Sequence, residues 1–181
     1  MAAQATDTTA IKLGGVTQIL MTPYESGVKG STTYSLDNIV ADSTSITQEE
    51  LETNTVDCET RTDPIFENIT LGSYTFEAQS GDVQSIILEK CFGFTKDTNN
   101  GNLYAPTSYK ELWAEIEVVF GDKGSLVCPK VKLGGNIEAS TLKTGMVYAN
   151  ISGTCYSVEI TKGDNSTKIM TPFYYKAPAE E

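Results

Sequence analysis

Residues 113–133, WAEIEVVFGDKGSLVCPKVKL, contain two strand-like runs separated by a short, glycine-bounded segment. In the first run, apolar residues from Ala114 to Phe120 alternate with Glu115 and Glu117, which is the period-two pattern of a strand with one buried face. The segment GDKG that follows is typical of a turn between antiparallel strands. The stretch therefore predicts a β-hairpin with both glutamates on the face opposite the apolar one.

Other parts of the chain carry the same kind of signal. Runs rich in β-branched and aromatic residues, separated by glycine, proline or aspartate, predict strands over residues 16–21, 34–41, 53–60, 65–78, 126–133, 146–151, 154–161 and 167–175. Gly72 is predicted to form a bulge, and the dipeptide Ser152-Gly153 is predicted to separate two strands. Pro129 indicates an edge or a bulge, because proline cannot donate to a sheet's hydrogen-bond ladder.

One segment departs from the β pattern. From Ser80 onward the sequence reads SGDVQSIILEKCFG, and its apolar residues recur at helical spacing from Val83 to Cys91. Ser80 is a candidate N-cap, and Gly93 stands just beyond the apolar stripe, as is common after a helix. These signals predict a single helix over about 80–92, which is too short to be stable without packing against a sheet.

The length of 181 residues fits one domain with one core. Residues 1–15 are small and polar and are expected to form a flexible arm, and residues 176–181 are expected to form a loose tail. The domain between them, 16–175, is predicted to be mainly β: an antiparallel β-sandwich or partly closed barrel flanked by one α-helix.

The charge of the chain limits its partners. There are 24 acidic and 13 basic residues and no histidine, so the formal net charge is −11. This charge repels phosphate backbones and anionic headgroups, which disfavours a nucleic-acid-gripping or membrane-binding role. The first residues lack the basic and apolar regions of a secretion signal, and no apolar run of about 18 residues occurs, so the protein is expected to stay in the cytoplasm where it is made.

The side chains used most often in catalysis are scarce. Without histidine, the usual hydrolase triads and zinc ligand sets are unavailable, and no nucleotide-binding fingerprint occurs. The cysteines at 58, 91, 128 and 155 form no C-x-x-C motif and are expected to be reduced, mostly buried thiols. We expect no metal, no cofactor and no enzymatic activity. Trp113 and the aromatic residues 173–175 are interpreted as core or interface packing residues, because no neighbouring basic residues are expected around them.

Two acidic regions stand out. One is a candidate acidic surface face formed by Glu115, Glu117, Asp57 and Glu59. The other is a polar interval between two predicted strands that is too long for a tight turn. Its length suggests a functional loop, and an unstructured surface loop is the alternative. Its residues are Asp42, Ser43, Thr44, Ser45, Ile46, Thr47, Gln48, Glu49, Glu50, Leu51, Glu52, Thr53 and Asn54.

Part of the chain resembles a known family. Residues 68–94, NITLGSYTFEAQSGDVQSIILEKCFGF, pass from a predicted strand into the predicted helix and resemble the major tail tube proteins of tailed bacteriophages. The stretch 38–52, followed by TVDCET at 55–60, is similar to the strand, loop and strand that precede the helix in that family. The order of predicted strands and helix resembles that of the family over about residues 11–175.

The resemblance implies a β-sandwich flanked by one helix, six copies of which close a ring around a barrel-like inner wall. Rings stack into a hollow virion tail tube that conducts genome DNA and meets tape-measure, terminator and baseplate proteins. The loop at 42–54 would reach the neighbouring ring, and the four acidic residues named above would face the lumen or the surface. A negative lumen wall would repel DNA over about 8 Å at physiological salt, which lowers friction.

Three alternatives remain open from the sequence. A tube subunit of a contractile injection or secretion system would share this fold and composition. A non-tube β-sandwich module that binds carbohydrate or acts as an adhesin would expose a row of aromatic residues on one sheet face. An enzyme using paired carboxylates would need a cleft containing an acid with a raised pKa.

Overall fold

The computed structural model describes residues 15–36, 38–50, 52–56, 66–70, 72–81, 84–139, 147–161 and 167–178. Most of the predicted arm and part of the tail therefore lie outside the described residues. In the first half of the chain the elements are β1 Gln18–Glu25, β2 Val28–Lys29, β3 Tyr34–Leu36, β4 Ser45–Gln48, β5 Glu52–Val56, β6 Phe66–Thr70, β7 Tyr74–Ser80 and α1 Ser85–Cys91.

The second half of the chain contributes further strands and one short turn of 3-10 helix. These elements are β8 Thr95–Lys96, β9 Leu103–Tyr104, β10 Leu112–Val119, the 3-10 turn Gly121–Lys123, β11 Ser125–Ala139, β12 Val147–Cys155, β13 Val158–Thr161, β14 Lys168–Thr171 and β15 Tyr174–Lys176. The prediction of a mainly-β fold with one α-helix is confirmed for the described residues. No helix among them is long and apolar enough to cross a membrane.

A single large antiparallel sheet organises the molecule. Its strand order is β2-β1-β10-β11-β12-β7-β4, with β3 also paired to β1 and β15 also paired to β11. The pairs β5–β6, β8–β9 and β13–β14 form separate two-stranded hairpins. The predicted turn at 121–124 does connect β10 to β11, and Phe120 and Gly124 close it with a backbone hydrogen bond of 2.9 Å.

Residues 34–48, which we call the seam segment, join the two sides of this sheet. Its first part, β3, pairs with β1. Residues 38–40 then reach the end of β7: Ile39 bridges Ser80, and the Val40 amide donates to the Gln79 carbonyl at 2.8 Å. The final part, β4, continues along β7. Because one segment pairs with both sides, the sheet curls around its core as the partly closed barrel allowed by the sequence.

The core lies on the inner face of the curled sheet. Alternate residues of β10 are buried, and their neighbours on β1, β7, β11 and β12 complete the same cluster. Its buried members are Ile19, Met21, Leu36, Phe76, Ala78, Ile87, Cys91, Ala114, Ile116, Val118, Cys128, Val131, Leu133, Ala149, Ile151 and Cys155. The alternation read from the sequence therefore identified the buried face of β10 correctly.

The helix exists but begins later than predicted. Ser80 is not its N-cap, because Ser80 is the last residue of β7, where it pairs with Ala149 and bridges Ile39. The backbone of Ser80 is part of the sheet and is therefore not placed to begin the helix. The residue before the helix is Gln84, and its side chain makes no capping hydrogen bond. Toward the helix end, Cys91 is buried in the core, as the apolar stripe predicted.

Two predicted interruptions behave differently from expectation. At Gly72 the predicted continuous strand is divided into β6 and β7, because the backbone there passes so close to the Glu49 carbonyl that a Cβ would collide with it. The predicted break at Ser152-Gly153 is wrong, since β12 runs through both residues. A Cβ on Gly153 would lie only 2.5 Å from Val131 Cγ1. The absence of a side chain at Gly153 therefore lets β12 and β11 pack closely.

Pro129 occupies a bulge, as one of its two predicted placements required. The β10–β11 register shifts between Ala114 and Ile116, leaving Pro129 and Lys130 opposite the single residue Glu115. Proline has no amide hydrogen to donate. Because Pro129 lies in the bulge, no hydrogen bond between β10 and β11 is lost.

Candidate functional site on the outer face of the sheet

The outer face of β10 carries the two glutamates that the sequence placed there. Lys29 Nζ lies 2.7 and 2.8 Å from the two carboxylate oxygens of Glu115. Lys176 Nζ lies 2.9 Å from Glu117 Oε1, and Ser125 Oγ donates to the same oxygen at 2.6 Å. We call these five residues the charged face. Its two carboxylates and two ammonium groups cancel, so these five residues together carry no net charge.

The surroundings of Glu117 on the charged face lower the pKa of its carboxyl group. Burial alone would raise the pKa of Glu117, but hydrogen bonds from Ser125 and Lys176 and the charges of Lys176 and Lys29 outweigh burial, so the pKa is lowered. A general acid at neutral pH needs the opposite shift. Glu117 is thus unsuited to the acid role in a carboxylate-pair mechanism.

The predicted acidic face has two further members. Asp57 and Glu59 lie outside the described residues. Within the described part of the chain, no group of three or more cysteine, aspartate or glutamate side chains is placed to hold a metal ion.

Trp113 lies beside the charged face in a cluster that sequence reasoning missed. Lys130 Nζ lies 4.8 Å and Lys132 Nζ 5.7 Å from the Trp113 ring centroid, within range of a cation–π interaction. The Tyr156 ring meets the Trp113 ring edge-on, with centroids 5.0 Å apart. We call these four residues the tryptophan–lysine cluster.

The premise that no basic residues neighbour Trp113 is therefore wrong. Lys132 lies directly opposite Trp113 in the β10–β11 ladder, and the bulge at Pro129 and Lys130 brings a second lysine to the same ring. The predicted hairpin turn alone would place Val131 opposite Trp113, and the one-residue register shift at the bulge places Lys132 there instead.

A cleft of about 550 Å³ opens next to this cluster, between the β1–β2 turn, the helix and Trp113. Its walls mix both signs of charge: Glu25, Glu89 and Glu111 are acidic, and Lys90 and Lys110 are basic. Lys90 Nζ and Glu25 Oε1 are 4.0 Å apart across it. The cleft therefore presents no single strong potential to a charged ligand.

The predicted loop at 42–54 is corrected by the structure. Ser45–Gln48 is strand β4, with Ile46 opposite Phe76, and β5 begins at Glu52. Hydrogen bonds hold the residues before β4 beside β7. Ser43 Oγ donates to Val40 O at 2.7 Å and accepts from the Gln79 amide at 3.1 Å. Only 49–51 remain between the strands, and Leu51 lies outside the described residues. A contact of this interval with a neighbouring ring stays a prediction.

Comparison with other proteins adds no relative to this description: no protein-family model matches the chain, and no curated protein matches it.

Proposed function

We propose that this chain is a non-enzymatic structural subunit of a phage tail tube, which assembles with copies of itself into stacked rings around a conduit for DNA. The supporting observation is the passage of β7 into α1 at the side of a large antiparallel sheet. This passage lies within 68–94, the residues that resemble the tail tube family. The order of strand, helix and return to strands is the one that the resemblance implies.

The proposal defines the partners by class. The first partner is the protein itself, with six copies in a ring and rings stacked into a tube. Tape-measure, terminator and baseplate proteins would meet the finished tube, and DNA would pass through as cargo. The protein would be made in the host bacterial cytoplasm, function in the virion tail, and need neither a cofactor nor a membrane.

The charges refine this proposal. Each of Glu115 and Glu117 is paired with a lysine, so neither gives the conduit a net negative charge. The excess of acidic residues in the whole chain must then come from other carboxylates, such as the exposed Glu77 on β7. A wall formed from unpaired carboxylates would repel phosphate over about 8 Å.

Two exposed elements support self-association. Strand β4 pairs with β7 along one edge, and no described strand pairs with its other edge. The hairpin β13–β14 stands outside the large sheet with Ile169 41% and Met170 63% exposed. A two-stranded hairpin is marginal in water, so packing these side chains against another copy would stabilise it.

The direct test is negative-stain microscopy of the purified full chain at low and high salt. We expect rings or tubes of uniform bore, and more of them as salt screens the repulsion between subunits of charge −11. Met170→Glu should weaken assembly. Val28→Glu, at a 70% exposed position on β2, is the matched control. A protein that remains monomeric at high concentration under every salt condition would overturn the proposal.

The alternative of a binding module is favoured by one observation. Tyr109 and Tyr156 are 74% and 43% exposed and lie near the lysines and Trp113 of the tryptophan–lysine cluster. Exposed aromatic rings of this kind can stack on sugar rings. A monomer that binds a glycan array, and loses that binding in Tyr156→Ala, would support this function in place of the tube.

A further inference from the structure

The loop between β8 and β9, residues 97–102, contains the chain's single asparagine–glycine pair, Asn100-Gly101. Every other asparagine precedes a residue that carries a side chain. Asn100 and Gly101 are both exposed, and a Cβ on Gly101 would meet no atom within 4 Å. The backbone nitrogen of Gly101 is therefore an unhindered neighbour of the Asn100 side-chain amide.

A backbone amide already points at the Asn100 side chain. The Asn102 amide donates a hydrogen bond to Asn100 Oδ1 at 2.9 Å. If the Gly101 nitrogen attacks Asn100 Cγ, negative charge develops on that same oxygen. A hydrogen-bond donor that is in place before the charge develops stabilises it without reorganisation. The loop thus holds both a nucleophile and a donor beside the Asn100 amide.

The attacking nitrogen is held by a weak part of the fold. The Gly101 amide donates to the Asp97 carbonyl at 2.9 Å, and this bond must open before the nitrogen can turn toward Cγ. Strands β8 and β9 contain two residues each and form a hairpin separate from the large sheet. A two-stranded hairpin is marginal in water, so local opening here needs far less free energy than opening of the large sheet.

Asn150 on β12 provides an internal comparison. Its strand is paired on both sides, with β11 and with β7, and its Oδ1 accepts from Gln79 Nε2 at 2.7 Å. The next residue, Ile151, is β-branched and 1% exposed. Attack by the Ile151 nitrogen would require the centre of the sheet to open, so Asn150 should keep its amide.

We propose that Asn100 is a site of spontaneous deamidation, in which the Gly101 nitrogen is the nucleophile and the Asn102 amide is the polarising donor. The inference rests on the geometry of the β8–β9 loop and does not depend on the tail tube function. Each event adds one carboxylate to an exposed hairpin of a chain that is already strongly acidic.

The reaction consumes one water and releases one ammonia. Hydroxide removes the proton of the Gly101 amide, the nitrogen bonds to Asn100 Cγ, and the bond from Cγ to the side-chain nitrogen breaks as ammonia leaves. A five-membered cyclic imide remains. Water then opens the imide at Cγ, which gives aspartate, or at the backbone carbonyl, which gives isoaspartate. No oxidant or reductant takes part.

The isoaspartyl product changes the backbone of the hairpin. Its main chain runs through Cβ and Cγ of residue 100, so one extra carbon separates this residue from Gly101. The hydrogen bond from the Gly101 amide to the Asp97 carbonyl cannot keep its geometry across this insertion. We therefore expect faster amide hydrogen exchange over residues 95–104 in modified molecules, with the large sheet unchanged.

The test follows the folded, full-length protein during incubation in mildly alkaline buffer. Tryptic peptide 97–110 contains Asn99, Asn100 and Asn102, and peptide 144–162 contains Asn150. Electron-transfer fragmentation locates each modified residue and distinguishes isoaspartate from aspartate. We expect both products at Asn100, formed at least about tenfold faster than any change at the other three asparagines. Isoaspartate shows that the reaction passed through the imide and not through direct hydrolysis.

Three variants separate the two roles. Gly101→Ala should slow the reaction at least about tenfold, because a Cβ hinders the attacking nitrogen. Asn102→Ala keeps the backbone donor and should leave the rate unchanged, whereas Asn102→Pro lacks the amide hydrogen and should slow the reaction several-fold. Equal rates in these two variants would overturn the role of the Asn102 amide.

A sample of the unaltered protein in urea completes the experiment, because it reports the motif without the fold. If Asn100 deamidates in urea but keeps its amide in the folded protein over the same period, the loop protects it and the proposal is wrong. This comparison needs no substitution, so it decides even where a variant disturbs the hairpin.

Discussion

The β10–β11 hairpin and the seam segment both belong to the large sheet, but they are held there by different means. In the hairpin, Ala114, Ile116 and Val118 are at most 1% exposed and alternate with polar neighbours. Among the described residues of the seam segment, Leu36 alone is as fully buried, and the others are partly buried or exposed. The hairpin is stabilised chiefly by apolar burial, and the seam chiefly by hydrogen bonds.

The backbone of the seam segment shows how this is achieved. Asn38 and Asp42 adopt positive φ values of 53° and 58°, which asparagine and aspartate tolerate better than most residues. These turns let 38–40 pair with the end of β7 and let Ser43 bond to both Val40 and Gln79. Because every buried amide and carbonyl needs a partner, a polar segment can complete a sheet without an alternating sequence.

The largest effect should follow from a cavity in the hairpin. Ile116 is fully buried between β1 and β11, so Ile116→Ala should lower the free energy of unfolding by about 2–5 kcal/mol. Ile116→Val should cost only about 0.5–1.5 kcal/mol, since one methyl group is removed. Urea denaturation followed by fluorescence of Trp113 measures both. Equal small losses in the two variants would show that the hairpin is not held by burial.

The hairpin turn gives the second-largest effect. Gly124 has φ 90°, and a Cβ there would collide with the Lys176 carbonyl and lie 2.9 Å from Tyr175 Oη. Gly124→Ala should therefore cost about 2–3 kcal/mol, combining an unfavourable φ with displacement of β15. Gly101→Ala is the matched control, because Gly101 has φ 75° and open space around it. It should cost about 1 kcal/mol, and the difference between the two variants, measured by urea denaturation, isolates the collision.

The contrast between hairpin and seam also explains what the sequence could predict. Side-chain alternation located β10 and its buried face, and helical spacing located α1, because both signals reside in local residue order. The sequence could not show that Ser80 would be used by the sheet and not by the helix, since its partners Ile39 and Ala149 are distant in the chain. It missed the pairing of Ser45–Gln48 for the same reason.

The candidate site follows the same rule. The outward direction of Glu115 and Glu117 was predictable from alternation. Their neutralisation was not, because Lys29 and Lys176 come from β2 and β15, far away along the sequence. The lysines around Trp113 depend on the turn and the bulge together, since the turn alone would place Val131 opposite Trp113 and the bulge at Pro129 and Lys130 shifts the register by one residue.

A smaller effect is expected in the seam segment. Ile46 on β4 is only partly buried against the core, where it lies opposite Phe76. Ile46→Ala should therefore cost about 1 kcal/mol, clearly less than Ile116→Ala, because less apolar surface returns to water. Thr47→Ala, at an exposed position of the same strand, is the control and should change stability by no more than about 0.5 kcal/mol. Urea denaturation of both variants provides the measurement. A cost equal to that of Ile116→Ala would show that the seam also depends on apolar burial.

The smallest effect concerns the charged face and its dependence on pH. The pKa of Glu117 is lowered in the folded protein: burial opposes ionisation, but the hydrogen bonds from Ser125 and Lys176 and the nearby lysine charges prevail. A carboxyl group with a lowered pKa stabilises the fold above its unfolded pKa of about 4.3 and loses that contribution as the pH falls through the folded value. Glu117→Gln should thus reduce stability at pH 7 by about 0.5–1 kcal/mol, with the difference vanishing in acid.

Urea denaturation at a series of pH values between 7 and 3 measures this difference. Glu77→Gln, at an exposed position on β7, is the control and should follow the unaltered protein throughout. Added salt should shrink the effect of Glu117→Gln, because the Lys176 side chain is 57% exposed and its attraction to Glu117 is screened. If Glu117→Gln and the unaltered protein gave parallel curves down to pH 3, the ion pair would contribute nothing. The neutrality of the charged face would then be a matter of geometry without a measurable part in stability.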